Sequence, residues 1–269
     1  MGIDVPDQHT LATALTGTRW TRIEVVAETG STNADLLGRI DAGETVDGTV
    51  LISAKQTSGR GRHARVWETP AGQLAVSAAV RVRPDAIVHL GWLSLLTGLA
   101  VHDAVSEVAG TALELKWPND VLAPGRGKLA GILSEFRLIA APDGGPAGGV
   151  AVIGTGLNID LPAGTAPNTA ASIGDLVDGA LDQTTVAAAY LRGLSERLDA
   201  WPDRIAELAE TYREVSATLG SRVRLLLPGD VEVIGDAVDI DDEGRIVVDG
   251  PEGRITASAG DVTHLRPAT

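Results

Sequence analysis

The stretch Gln56–Trp67 reads QTSGRGRHARVW and is called the Arg loop below. Its three arginines alternate with small residues, and no acidic residue occurs between positions 55 and 65. Glycine lets the backbone come close to a ligand, and guanidinium groups bind carboxylates and phosphates through paired hydrogen bonds. The stretch therefore predicts a cationic loop that binds an anionic small molecule. Its glycine and arginine positions are Gly59, Arg60, Gly61, Arg62 and Arg65.

The composition limits the possible functions. The chain has 269 residues, and its 36 acidic against 22 basic residues give a net charge of −14, which argues against general nucleic-acid binding. It has no cysteine, so disulfides and thiolate metal sites are excluded. No signal peptide is evident, and the longest apolar region, residues 87–101, is too short to span a bilayer. We therefore expect a cytoplasmic protein without nucleic-acid or membrane partners.

Strands flank the Arg loop on both sides. Apolar runs predict strands at Thr49–Ala54 and Gln73–Val82, which the loop connects. Further upstream, Arg22–Glu28 alternates like a strand and is followed by a GSTN turn, Gly30–Asn33, which precedes a short helix. Ser31 in this turn can cap the helix, and helix N-termini also attract polar ligand groups, so both roles remain open.

Helices and strands alternate in the remaining chain. Helical spacing of apolar residues predicts a long buried helix over Ile87–Val108 and two helices within Thr185–Val215, divided at Pro202. Strands are predicted at Leu113–Lys116, Lys128–Leu138 and Val150–Ile159. From Gly220 onward, short alternating runs separated by turn residues indicate a small antiparallel, barrel-like module.

Several familiar catalytic motifs are missing, including the GxxxxGK(S/T) phosphate loop, GxSxG and HExxH. The GTG at 154–156 lacks the third glycine of a dinucleotide-binding motif. What remains is a set of cationic, amide and carboxylate side chains near strand ends. One such lysine alone is usually a solvated edge charge, whereas the combination indicates a site. The set is Lys116, Asn119, Asp120, Lys128 and Asn158.

Four segments in this order resemble the biotin protein ligase family. They are the Arg loop, KWPND at 116–120, KLAGILSE at 128–135 and GTGLN at 154–158, and the STN of residues 31–33 belongs to the same pattern. The resemblance extends from about Thr21 to the C-terminus. It implies an α+β fold: a mixed β-sheet with helices on one face, related to class II aminoacyl-tRNA synthetases, over residues 1–218. A small SH3-like β-barrel would follow over residues 219–269.

The resemblance also implies a reaction in two steps. The carboxylate of biotin attacks the α-phosphate of ATP, which releases pyrophosphate and forms biotinyl-5'-AMP. A lysine of a biotin carboxyl carrier domain then attacks this acyl-adenylate. Biotin and ATP would be the substrates, with Mg²⁺ bound at ligands that the sequence does not identify. The partner would be the carrier domain, and the protein a monomer or weak dimer.

Matching residues take their implied roles from the family. Lys128 would bridge the biotin carboxylate and the α-phosphate, Arg62 would retain the adenylate, and Asp120 would orient the acceptor lysine or a metal, or hold the local structure. The implied catalytic residues are Arg62, Lys116, Asp120 and Lys128. The implied biotin-binding residues are Ser31, Thr32, Asn33, Gln56, Gly59, Arg60, Gly61, Arg62, Lys128, Gly131, Ile132, Gly154 and Gly156. The implied ATP- and adenylate-binding residues are Arg60, Arg62, Arg65, Trp67, Lys116, Asn119 and Asn158.

The sequence departs from the common GRGRRGR loop pattern at His63 and Ala64. If the replaced glycine had positive φ, Ala64 would cost about 1 kcal/mol and change the path of the loop.

No helix-turn-helix pattern precedes the first strand, so we expect no repressor function. One alternative is a lipoate or octanoate ligase of the same fold, which KWPND disfavours. The other is a non-catalytic biotin- or nucleotide-binding module, which the presence of Arg62, Lys116 and Lys128 disfavours.

Overall fold

A seven-stranded mixed sheet carries most of the residues predicted to form the site. The computed structural model describes residues 5–62, 65–67, 69–139, 148–162, 169–227, 229, 231–258 and 260–265. The strand order is β1-β2-β3-β7-β6-β5-β4; β1 and β2 are parallel, and the other neighbours are antiparallel. This order places the glycine-rich end of β7 near the centre. The strands are β1 (Arg22–Val26), β2 (Thr49–Ser53), β3 (Gln73–Val82), β4 (Glu114–Lys116), β5 (Asp120–Ala123), β6 (Gly127–Ile139) and β7 (Gly148–Asn158).

Helices cover both faces of this sheet. The bounds are α1 (Gln8–Ala14), α2 (Thr32–Asp41), α3 (Trp92–Ala109), α4 (Gln183–Ala200) and α5 (Ile205–Val215). The large core joins α3 and α4 to one face, whereas Leu36 and Leu37 of α2 pack with Val152 on the other. The expectation that helices cover only one face of the sheet is therefore wrong, because the apolar side of α2 packs against the other face. No helix in the described ranges is long and apolar enough to cross a membrane.

The predicted long helix starts later than expected. Pro84–His89 forms a separate 3-10 helix, and α3 begins at Trp92 after Gly91. A Cβ on Gly91 would overlap the carbonyl oxygen of Glu243, so the contact with the C-terminal module requires glycine at this position. Apolar periodicity continues across the break, which is why the pattern alone does not locate it.

The C-terminal part forms a second, five-stranded antiparallel sheet with the order β11-β10-β9-β8-β12. The α+β class with a C-terminal β module is thus confirmed, while the boundary between residues 218 and 219 stays a prediction. The alternation of apolar and polar residues does not predict the last strand, because this strand has only four residues. The strands are β8 (Arg222–Leu227), β9 (Val231–Ile240), β10 (Ile246–Gly250), β11 (Gly253–Ala257) and β12 (Asp261–His264).

The turn between β9 and β10 attaches the C-terminal module to the first sheet. The indole Nε1 of Trp92 donates to the Asp241 carbonyl at 3.1 Å, and that of Trp117 donates to the Gly244 carbonyl at 3.1 Å. Both donors are satisfied within a close-packed contact, so the C-terminal module is fixed beside the β4–β5 turn. Consequently β12 lies near the residues that follow β4.

Candidate active site

A cavity of about 500 Å³ lies over the ends of β6 and β7. It is bounded by the N-terminus of α2, the Arg loop, the β4–β5 turn and β12. Every residue predicted for the site lines this cavity except Gly59 and Asn158. The lining residues from the predicted set are Ser31, Thr32, Asn33, Gln56, Arg60, Gly61, Arg62, Arg65, Trp67, Lys116, Asn119, Asp120, Lys128, Gly131, Ile132, Gly154 and Gly156.

The start of α2 forms one end of the cavity, called the α2 end below. Ser31 is the N-cap, and its side chain accepts from Ala34 N at 3.4 Å. The Thr32 amide donates to Gln56 Oε1 at 2.9 Å, which fixes the glutamine side chain at the head of the helix. The cap satisfies the backbone, and the Thr32 hydroxyl and Gln56 amide remain at the cavity wall. Capping and ligand contact are thus geometrically compatible at this junction.

Asn33 belongs to a buried hydrogen-bond network. Ser77 Oγ donates to Asn33 Oδ1 at 2.6 Å and lies 2.7 Å from Thr32 Oγ1. The Asn33 amide nitrogen donates to Glu135 Oε2 at 2.9 Å and to the Leu133 carbonyl at 3.2 Å. Both polar atoms of Asn33 are therefore engaged with protein groups, and the residue shapes the wall. No sequence pattern marks Ser77, because it is a single hydroxyl within an apolar strand.

Glycines of β6 and β7 form the floor of the cavity, called the glycine floor below. Gly131 and Gly156 are directly paired across β6 and β7, and the Trp67 indole lies against both. A Cβ on Gly131 would lie 2.8 Å from Trp67 Cζ3, and a Cβ on Gly156 would overlap the indole ring. A Cβ on Gly154 would likewise overlap the Asn33 amide. Glycine is required here because flat side chains pack directly on the sheet.

Lys128 lines the cavity beside Trp67 and Asp120. Its Nζ lies 5.2 Å from the Trp67 ring centroid and 2.6 Å from Asp120 Oδ1. The lysine and aspartate side chains are 34% and 24% exposed, so solvent partly screens the pair. Trp67 Nε1 is buried and has no hydrogen-bond partner within the described part of the chain. An aromatic face, an ammonium and a carboxylate thus meet at one point.

The Arg loop folds back on itself at its base. The Trp67 amide donates to the Gly59 carbonyl at 2.9 Å, and the Gly61 amide donates to the Arg65 carbonyl at 2.8 Å. A Cβ on Gly59 would overlap the Trp67 carbonyl, so Gly59 closes the loop instead of lining the cavity. His63 and Ala64 lie outside the described residues, and the expectation of a changed loop path stays a prediction.

Two arginines of the loop reach the C-terminal module. Arg62 Nη1 donates to the Gly260 carbonyl at 3.2 Å and to Asn119 Oδ1 at 3.4 Å, while Arg65 pairs with Asp261. Burial lowers the pKa of the Arg62 guanidinium, which still remains charged at neutral pH because arginine starts so high. No sequence signal marked Asp261, because its partner lies far away in the chain.

The β4–β5 turn forms the second end of the cavity, called the β4–β5 end below. The Asn119 amide nitrogen donates to the Ile132 carbonyl at 2.9 Å, which directs Oδ1 toward Arg62. Lys116 lines the cavity and forms no ion pair with a described residue. The backbone of β6 therefore directs the Asn119 side chain, whereas no ion pair with a described residue holds Lys116.

Asn158 is not at the cavity surface. Its Oδ1 accepts from Gln73 Nε2 at 2.5 Å, and its amide nitrogen donates to the carbonyls of Ala171 at 2.8 Å and Lys128 at 3.2 Å. The side chain is buried. In this arrangement Asn158 holds the start of β6, next to Lys128, and the structure does not bring it to the predicted nucleotide side.

Two family models match the chain and identify the class of protein to which it belongs. Residues 25–146 match the Biotin/lipoate A/B protein ligase family, and residues 218–265 match the biotin protein ligase C terminal domain.

Individual relatives narrow this class. The chain is 46% identical over 254 residues to a biotin–(acetyl-CoA-carboxylase) ligase of Mycobacterium tuberculosis, covering 93% of this chain and 91% of the relative. A Paracoccus denitrificans enzyme of the same name is 33% identical over 251 residues, covering 88% and 98%. The biotin protein ligase from Aquifex aeolicus in complex with biotin and ATP is 25% identical with a TM-score of 0.73, covering 91% and 99%. The chain therefore belongs to the biotin protein ligase family and is a ligase.

Proposed function

We propose that this ligase makes biotinyl-5'-AMP from biotin and ATP and then transfers the biotinyl group to a lysine of a biotin carboxyl carrier domain. The observation that carries the proposal is the position of Lys128. Its ammonium pairs with Asp120 in a cavity that neutral hydrogen-bonding side chains such as Thr32 and cationic side chains such as Arg62 both line, which supports a role between a carboxylate and a phosphate. The similar Aquifex aeolicus protein has been seen with biotin and ATP.

The α2 end suits the ring of biotin. A ureido group is neutral and has donors and an acceptor, which match short polar side chains such as Thr32 and Gln56. The valeryl chain would cross the glycine floor beside Ile132 and bring its carboxylate to Lys128. Buried groups that are fixed in this way reject ligands that cannot pair with them, which favours biotin over a simple fatty acid.

The β4–β5 end suits the nucleotide phosphates. Arg62, Lys116 and Lys128 all line the cavity, and Asn119 adds an amide. Positive groups reduce the repulsion between the two anionic substrates and stabilise charge on the phosphoryl oxygens as the adenylate forms. A hydrogen bond to a charged group contributes about 2 kcal/mol, so several fixed ones account for a large rate effect. Arg60 and Arg65 would add charge at the rim.

Asp120 fits the second step. Its carboxylate is paired with Lys128. A substrate carboxylate or phosphate that binds Lys128 would release Asp120, which could then bind the ammonium group of the acceptor lysine. The amine nitrogen attacks the acyl carbon, the bond from that carbon to the AMP oxygen breaks, and AMP leaves with the electron pair. Asp120 would orient the amine and accept its proton.

Mg²⁺ would be held mainly by the nucleotide. Within the described ranges, no group of three His, Asp or Glu side chains can hold a metal ion. Mg²⁺ at nucleotide sites commonly uses one or two carboxylates plus phosphate oxygens and water, and Asp120 is the carboxylate beside Lys128 that fits this pattern. When bound, the ion would neutralise phosphate charge.

The decisive test is the transfer of labelled biotin to a purified carrier domain in the presence of ATP and Mg²⁺. Label that depends on ATP and on the acceptor lysine supports the proposal. Absence of label with folded protein contradicts it, and transfer of octanoate instead of biotin would favour the lipoate-type alternative. Sedimentation of the purified chain tests the expected monomer or weak dimer.

A further inference from the structure

After α5, residues 216–218 form a connecting segment that runs beside β4, and residues 219–221 then lead into β8 of the C-terminal sheet. Ser216 forms a parallel bridge with Leu115, and the Ala217 amide donates to the Leu115 carbonyl at 2.9 Å. The connection therefore continues the first sheet at its β4 edge. It contacts the strand that ends in Lys116, one of the residues that line the cavity.

Thr218 ends this connection with a buried hydroxyl. The residue is 0% exposed, and its Oγ1 accepts from the Trp117 amide at 3.0 Å. The Trp117 indole is buried too and donates to the Gly244 carbonyl. The backbone between Lys116 and the β4–β5 turn is thus held at two points, by the connecting segment and by the C-terminal module.

His264 on β12 orients the hydroxyl. Its Nε2 lies 3.2 Å from Thr218 Oγ1. Because that oxygen accepts from the Trp117 amide, the hydroxyl proton is available for a neutral imidazole nitrogen. The charged groups facing the imidazole are Lys116 and Glu114 of β4, and its partner across β8 is the apolar Val223. Burial and then Lys116 lower the pKa of His264, so the neutral, accepting form is favoured.

We propose that Thr218 is a positioning residue for the nucleotide half of the reaction. Its hydroxyl, oriented by His264, fixes the Trp117 amide and thereby the approach of the neighbouring Lys116 to the phosphates. This inference rests on the proposed function. Lys116 has no ion pair with a described residue to hold it, so its placement depends on its backbone. The hydrogen bonds of the α2 end involve neither Thr218 nor His264, so the effect is specific for ATP.

The test compares Thr218→Val, which removes the hydroxyl at similar size, with Thr218→Ser, which keeps it. Adenylate formation is measured against ATP and biotin concentration separately. We expect Thr218→Val to lower kcat/KM for ATP about tenfold while KM for biotin changes less than about twofold, and Thr218→Ser to stay near wild type. Wild-type kinetics in the valine variant, equal losses for both substrates, or a serine variant as defective as valine would overturn the proposal.

A second measurement does not depend on activity. Hydrogen exchange at the Trp117 amide should be slow in wild type and Thr218→Ser and faster in Thr218→Val. If wild type forms no adenylate, the proposed function fails, while this exchange experiment still decides whether Thr218 holds the turn. Unchanged exchange in the valine variant overturns the inference. Should that variant not fold, His264→Leu against His264→Gln gives the same comparison, because glutamine retains a hydrogen-bond acceptor.

Discussion

The two ends of the cavity are built in different ways. At the α2 end, Thr32, Asn33 and Ser77 are buried and joined by short hydrogen bonds within the first sheet and its helix. Toward the β4–β5 end, Arg62 and Lys128 rest on longer or partly exposed contacts, one of which, from Arg62 to the Gly260 carbonyl, comes from the C-terminal module. Under the proposed function, the neutral ring of biotin would meet a preformed surface, whereas the phosphates would meet cations with exchangeable partners.

Energetics support this contrast. Exposed ion pairs such as Arg65 with Asp261 contribute about 0–1 kcal/mol, so an anionic substrate can replace the carboxylate at little cost. An unpaired buried polar group costs about 1–3 kcal/mol, so the Asn33 network resists rearrangement. Substitutions at the β4–β5 end should therefore change kinetics with little loss of stability. Substitutions at the α2 end and glycine floor should change both.

The largest expected effect is at Lys128. Lys128→Ala should lower adenylate formation by about a hundredfold or more, because it removes the cation between carboxylate and phosphate. The Tm should change little, since the lost pair with Asp120 is partly exposed. Pyrophosphate release and thermal unfolding measure the two quantities. Lys55→Ala is the matched control, because Lys55 is exposed and pairs with Glu28 outside the cavity. A normal rate in Lys128→Ala, or loss of folding, would contradict this role.

The next effect is retention of the intermediate. Arg62→Ala should raise the dissociation rate of biotinyl-5'-AMP about tenfold or more, because one charged donor and the contacts to Asn119 and Gly260 disappear. Released adenylate would label bystander lysines, which mass spectrometry of an added unrelated protein detects. Arg254→Ala, which removes an exposed arginine paired with Asp249, is the control. Tight retention by the Arg62 variant would show that the loop holds the intermediate by other means.

A smaller effect is expected on the glycine floor. Gly156→Ala should displace the Trp67 indole and raise KM for biotin about tenfold, since added bulk at a packed contact typically costs 1–3 kcal/mol. Gly38→Ala is the matched control, because nothing lies within 4 Å of its Cβ position, and alanine should stabilise α2 by about 1 kcal/mol. Chemical denaturation and biotin titration distinguish the two. Unchanged biotin binding in Gly156→Ala would mean that Trp67 moves freely.

Local patterns predicted most of the strands and a few site residues, whereas most of the cavity lining was implied by the resemblance to the biotin protein ligase family. Lys116 and Lys128 were found because they stand where apolar runs end or begin, and Arg62 because glycines surround it. Contacts between distant residues were not predictable, such as Arg65 with Asp261 or the Trp117 amide with Thr218.

Asn158 shows a second limit of local patterns. Strand alternation puts it on the same side of β7 as Gly154 and Gly156. The pattern does not reveal that the backbone carbonyls of Lys128 and Ala171 engage its amide. Roles assigned by position along a strand therefore need the packing around that position as well.

The smallest expected effect concerns pH and separates the two ends through stability. Burial and then Lys116 lower the pKa of His264 from its ordinary value of 6.5. A histidine with a depressed folded-state pKa contributes stability above its unfolded pKa, and the contribution is lost as the pH falls through the folded pKa. The Tm of wild type should therefore fall more than the Tm of His264→Gln when the pH is lowered from 8 to about 5. Asn33→Ala should lower the Tm relative to wild type by a similar amount at both pH values. Thermal unfolding of the three proteins measures this. Parallel curves for wild type and His264→Gln would mean that the imidazole is equally free to protonate in the folded protein, and that the contact of β12 with Thr218 does not require the neutral form.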